Sequence, residues 1–88
     1  MKIKAGFVLE KVGSSYLAVA TGEAAKSFQG LVRMNETGAF MWNQVKDSDK
    51  TLEELLDALS KEYDAPKEVL LSDAKSFENQ LREAGILE

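Results

Sequence analysis

Gly30-Leu31-Val32-Arg33-Met34-Asn35-Glu36-Thr37-Gly38-Ala39-Phe40-Met41-Trp42 is the stretch in which the chain changes period. The apolar run from Gly30 to Met34 is too short for a helix and is cut off by Asn35, so it reads as a strand. From Asn35 onward the spacing is helical. Asn35 is a good N-cap, and Glu36 lies in the first turn, where the helix dipole favours an acid. Ala39, Phe40, Trp42 (or Met41) and Val45 then follow at helical intervals. A helix is therefore expected over about 36–46. Of Phe40, Met41 and Trp42, two can face inward at once; the third covers a neighbouring loop or meets a partner.

Working back from that junction, Phe7 to Val12 and Tyr16 to Ala20 are rich in β-branched and aromatic residues. They flank Gly13-Ser14-Ser15, a turn of the kind that closes a hairpin. The polar stretch Glu23 to Ser27 separates this hairpin from the third strand.

Working forward, Asp47 to Lys50 is a polar break, and Thr51-Leu52-Glu53-Glu54 is a capping box. It opens a second helix with Leu52, Leu55, Leu56 and Leu59 on one face, ending near Tyr63. Pro66 suits the first turn of a third helix, with Asp64 close enough to cap it or to favour its dipole. Val69, Leu70, Ala74 or Asp73, Phe77, Leu81 and Ala84 keep the helical period. Gly85 stands where a left-handed C-terminal residue belongs, and Ile86-Leu87 folds back as an apolar cap. The expected fold is α+β and winged-helix-like, a three-stranded antiparallel sheet followed by three helices, with 1–88 forming a single domain.

Composition narrows the chemistry. The 88 residues include 11 Lys+Arg and 15 Asp+Glu, with no His and no Cys, for a formal net charge of −4. Without imidazole or thiol there is no His general base, no Cys nucleophile and no His/Cys metal site, so catalysis by this chain and a bound cofactor are not expected. The apolar run near the N-terminus, Phe7 to Leu9, is too brief for a signal-peptide core or a membrane span, and the absence of Cys fits a reducing compartment. A cytoplasmic protein is expected.

The charge is unevenly placed. Residues 1–34 hold Lys2, Lys4, Lys11, Lys26 and Arg33 against Glu10 and Glu23, a balance of +3, while 35–88 hold 6 basic and 13 acidic residues, a balance of −7. The order of the helices alone permits a helix-turn-helix. Its reading helix, however, would carry Glu68, Asp73, Glu78 and Glu83 beside Lys67, Lys75 and Arg82, so no nucleic-acid partner is expected. Glu53 with Asp57, and Asp47 with Asp49, could act as acid–base pairs or hold a hard cation. A chain that is 30% charged also produces such pairs by chance.

The third strand is the more informative feature. In a sheet of consecutive hairpins it must be an edge, with unpaired amides and carbonyls, unless something covers it. Either Arg33 blunts that edge, or the edge is kept open so that an extended peptide adds a strand beside a flanking helix.

Phe28-Gln29-Gly30 and the stretch quoted above together resemble the hxLNxTGAxhW segment of PqqD-like proteins, with Met34 in place of the usual Leu. Thr51 to Leu56, Tyr63-Asp64, Asp73, Phe77, Leu81 and Gly85-Ile86-Leu87 continue the resemblance over nearly the whole chain. At Ser27-Phe28-Gln29-Gly30 the chain departs from the Tyr-Pro-Glu-like stretch of the pyrroloquinoline quinone members. The resemblance implies a recognition element for leader peptides of ribosomally made, post-translationally modified peptides. It would serve pyrroloquinoline quinone biosynthesis or another peptide pathway.

In that family the leader adds as a strand against the third strand, beside the third helix, and is presented to a separate modifying enzyme, commonly a radical S-adenosylmethionine enzyme. Carried over, the strand is Leu31, Val32, Arg33 and Met34, and the groove wall is Asp73, Ser76, Phe77 and Gln80 from exposed or half-exposed helix positions. Phe77 on its apolar stripe is equally readable as core. Asn35 and Gly38 read as structural, one capping the helix and one allowing close backbone approach. The expected partners are thus a precursor leader peptide and a modifying enzyme, with no membrane, for a monomer or weak dimer. The alternatives are a winged-helix nucleic-acid binder and a purely structural accessory subunit.

Overall fold

The computed structural model describes residues 1–27 and 31–88. The first two strands are β1, Phe7–Val12, and β2, Ser15–Ala20, paired antiparallel with Val12 opposite Ser15. The turn is one residue tighter than the sequence predicts, because Ser15 joins the strand and Gly13 takes φ +64° at the first turn position. That is the backbone a two-residue hairpin of the II′ kind requires, and its twist matches that of the strands it joins.

Between the hairpin and the third strand, where the sequence predicts only a polar stretch, there is a short helix, α1, Ala24–Ser27. A helix this short shows no periodic apolar signal. It is held by turn bonds, the Ala24 and Ala25 amides donating to Thr21 and Gly22 carbonyls at 3.2 Å. It packs on Gly6 so closely that a Cβ there would stand 2.8 Å from the Ala24 Cβ.

The third strand, β3, is Val32–Met34, shorter than predicted: Leu31 precedes it, and Gly30 lies outside the described residues. The sheet order is β1-β2-β3, with Tyr16 opposite Met34, Leu17 opposite Arg33 and Ala18 opposite Val32. Alternation therefore puts Leu9, Ala18 and Val32 in one cross-strand row on the core face, and Glu10, Leu17 and Arg33 in a row on the opposite face.

Three longer helices close the core: α2, Glu36–Val45; α3, Leu52–Glu62; and α4, Lys67–Glu83. As the sequence predicts, Asn35 caps α2, accepting from the Gly38 amide at 2.9 Å. The Thr51–Glu54 capping box is complete, with both bonds formed at 3.0 and 3.1 Å. The Thr51 backbone N–H, and after it the Thr51 hydroxyl, hold the Glu54 carboxyl below its ordinary range.

On α2, Met41 and Trp42 turn inward, while Phe40 stacks edge-on against Tyr63 with ring centroids 5.6 Å apart. It thus covers the segment that leaves α3. The stripe of α4 is Leu70, Ala74, Phe77 and Leu81, all buried. Val69, expected on that stripe, is 48% exposed because it falls one helical step off it. Pro66 sits at the cap position, just before the first turn, and no side chain caps α4, so Asp64 does not play that part.

The end of α4 is a Schellman turn. The Ile86 amide donates to Leu81 at 2.9 Å, the Gly85 amide to Arg82 at 3.1 Å, and Gly85 takes φ +78°. Ile86 is fully buried, and Leu87 bridges Ile3 near the N-terminus. Trp42, Val45, Leu55, Leu59, Leu81 and Ile86 form the centre of one apolar cluster. Each such burial is worth about 1.5–3 kcal/mol. Among the described residues no helix is long and apolar enough to cross a membrane.

Candidate functional site

Backbone direction at β3 follows from the hairpin. A two-residue turn closes on a hydrogen-bonded pair, Val12 with Ser15, and bonded pairs then alternate along the strands. Leu17 consequently directs its amide and carbonyl toward β1, while Tyr16 and Ala18 direct theirs toward β3. Opposite them, Val32 and Met34 face β2, and Arg33 turns both backbone groups to the outer edge. The strand is thus a sheet edge, as the sequence predicts, with Arg33 as its outward-facing residue.

Helix α4 runs beside that edge. A cleft of about 250 Å³ lies between them, lined by Arg33 and Met34 of β3, Asn35, Thr37, Gly38 and Met41 at the start of α2, and Asp73, Ser76, Phe77 and Gln80 of α4. The three-to-four residue spacing from Asp73 to Gln80 keeps those α4 positions on one face. Of the residues expected to form the site, the structure brings together Arg33, Met34, Asp73, Ser76, Phe77 and Gln80. Leu31 is 56% exposed at the entrance to β3, and Val32 is buried under the sheet; neither lines the cleft.

Phe77 departs from the expectation of a half-exposed wall. It is 3% exposed, a core residue whose ring backs the cleft. Its place on the same stripe as Leu70, Ala74 and Leu81 explains this, because that stripe faces the core. Asp73, Ser76 and Gln80 are the exposed residues of the wall.

Thr37 lines the cleft without having been singled out, as does Met41, which helical spacing left open between the core and another role, and Asn35 and Gly38 line it in addition to their structural parts. Their signal was positional, since the first turn of a helix that directly follows an edge strand must flank the end of that strand. The closeness is measurable: a Cβ on Gly38 would stand 2.8 Å from the Met34 Cβ.

A hydrogen bond crosses the cleft. The Gln80 side-chain amide donates to the Arg33 carbonyl at 2.9 Å. A larger groove of about 770 Å³ lies between α3 and α4, with Leu52, Leu56, Leu70 and Leu71 among its lining residues, but it has no strand edge. Size therefore favours one groove and backbone chemistry the other. An extended chain needs backbone partners, which makes the smaller cleft the better candidate.

One member of each carboxylate pair has another partner. Asp57 pairs with Lys61 at 3.1 Å, and Asp49 accepts from the Met1 ammonium at 2.7 Å, a contact that lowers its pKa. Among the described residues, no group of three or more acidic side chains is placed to hold a metal ion.

An α+β domain ending its sheet in an outward-facing strand beside a long helix is the class these features define. The chain belongs to the PqqD family: the family model for coenzyme PQQ synthesis protein D matches residues 16–87. The solved structure of TbiB1 in complex with the TbiA(beta) leader peptide is similar in fold, with a TM-score of 0.73 and 20% identity, covering 100% of this chain and 95% of that one. A comparison with curated proteins gives no significant match.

Proposed function

We propose that this chain is a non-catalytic adaptor that binds the leader of a ribosomally made precursor peptide and presents it to a separate modifying enzyme. The observation that carries the reading is the outward-facing backbone of Arg33 on β3, set across a narrow cleft from α4. Family membership and the fold shared with a leader-bound protein support it.

The leader lies along Leu31 to Met34 as an added strand, and residues 1–88 act as one domain. Backbone pairing supplies affinity with little sequence demand. Asp73, Ser76 and the Phe77 ring, beside Gln80 on the same wall, select the leader side chains that enter the cleft. The chemistry belongs to the partner, a radical S-adenosylmethionine enzyme or another modifying enzyme, in the cytoplasm, and the adaptor works as a monomer or weak dimer.

The test is an amide-resolved titration of the labelled protein with synthetic peptides tiling the short precursor-like reading frames beside its gene. Signals of Leu31 to Met34 and of residues 73–80 should move. Movement confined to the β1–β2 hairpin overturns the proposal.

A further inference from the structure

The edge at Arg33 already carries a partner from within the chain. An antiparallel strand presents the amide and carbonyl of an outward-facing residue on the same side, so an added strand needs both groups of Arg33. The carbonyl already accepts from Gln80, whose side chain reaches across the cleft from α4, 47 positions along the chain. A primary amide carries the same N–H donor and C=O acceptor as a peptide bond. It can therefore stand in for one backbone unit of the missing strand.

The geometry points to Gln80 as a latch: its amide holds the place of an incoming strand on the Arg33 carbonyl, so strand addition at β3 proceeds by exchange. The latch deepens the leader-binding proposal and rests on it for the identity of the incoming strand. Its chemistry stands on the free protein alone.

Two consequences follow. The Gln80 side chain fills the place that an entering amide would take on the Arg33 carbonyl, which weakens and slows pairing by segments that bring nothing else to the cleft. The same bond blunts the edge against a second copy of the chain, a hazard every exposed strand carries. Arg33 adds a charge to the edge, but its exposed side chain lies on the outer face of the sheet, in line with Leu17, and leaves the carbonyl uncovered.

Gln80 is exposed and lies within α4, where Met and Ala are good helix formers, so Gln80→Met and Gln80→Ala remove the donor with little cost to the helix. In the free protein, Gln80→Met should move the Arg33 carbonyl carbon resonance; an unmoved resonance overturns the latch.

Against the tiled precursor peptides described above, both variants should bind about threefold to tenfold more tightly than the parent, the worth of one ordinary hydrogen bond no longer exchanged. Unchanged or weaker binding overturns the latch, because Gln80 would then be a bystander or a contact.

If no peptide binds the parent or the variants, the leader reading fails, and sedimentation of the free proteins decides the latch by itself. Gln80→Met and Gln80→Ala should then self-associate at least about threefold more tightly than the parent. Adding Arg33→Pro, which removes the outward amide, should reverse the gain in the Gln80→Met chain. Equal self-association of parent and variants overturns the latch.

Discussion

The sheet has two edges, and they differ in what stands beside them. β1 spans Phe7–Val12, with Glu10 and Lys11 on it and with Val8 and Val12 exposed at 41% and 55%. β3 is only Val32–Met34, yet it adjoins a cleft walled by α4 and by the first turn of α2. The longer edge offers more backbone and a pair of charges that discourage pairing. The shorter one offers one outward residue with side chains around it. Free backbone alone does not select a partner; a strand edge becomes a site when a neighbouring element gives the added strand somewhere to place its side chains.

The sharpest way to break the contrast is to remove the ring that backs the cleft. Phe77 is 3% exposed and shared between cleft and core, so Phe77→Ala should cost about 3–5 kcal/mol in urea unfolding. Val12→Ala on the exposed end of β1 should stay within about 0.5 kcal/mol. A Phe77→Ala loss as small as that of Val12 would mean that the cleft is independent of the core.

A smaller cost is expected from Gly38→Ala, which places a methyl 2.8 Å from the Met34 Cβ and pushes β3 away from α2. It should destabilise by about 1–3 kcal/mol, as overpacking does. Leader binding should weaken beyond what the lost folded fraction explains, because the cleft changes shape. Stability equal to the parent would show that the close approach yields freely.

Edge chemistry itself is separated by a pair of prolines. By the hairpin alternation, Arg33 and Lys11 both turn their amides outward, so proline at either removes an edge donor and leaves the ladder with β2 intact. Arg33→Pro should lower affinity for a precursor peptide about tenfold, whereas Lys11→Pro should leave it unchanged by calorimetry. Equal losses would place the added strand on neither edge.

Most of this architecture could be read from local signals because local forces set it. The Asn35 cap, the Thr51–Glu54 box and the Gly85 turn are short-range bonds that the structure forms as predicted. The third strand as a sheet edge followed from element order alone. Contacts between distant segments were not legible. Gln80 meets Arg33 across 47 positions, and no periodicity records it. The burial of Phe77 was legible but competed with a site role; helical spacing from Leu70 to Leu81 decides for the core. The motif residues Phe28, Gln29 and Gly30 lie outside the described residues.

The smallest predicted effect tests a region that neither edge touches. Glu54 closes the cap of α3, and its carboxyl is held below the ordinary value of 4.5 chiefly by the Thr51 backbone N–H. A carboxylate whose folded pKa is depressed binds its proton more readily when unfolded. Its stabilising contribution is complete above the unfolded value and is lost as pH falls through the folded one. The stability of the parent relative to Glu54→Gln should therefore be constant near neutral pH and decline below about pH 4.5. Peptide affinity per folded molecule should not differ between the two over that range, since Glu54 lies in α3, away from the cleft. A pH-dependent difference in affinity would mean that the cap of α3 is coupled to β3, and the contrast between the two edges would then have to include the helix behind them.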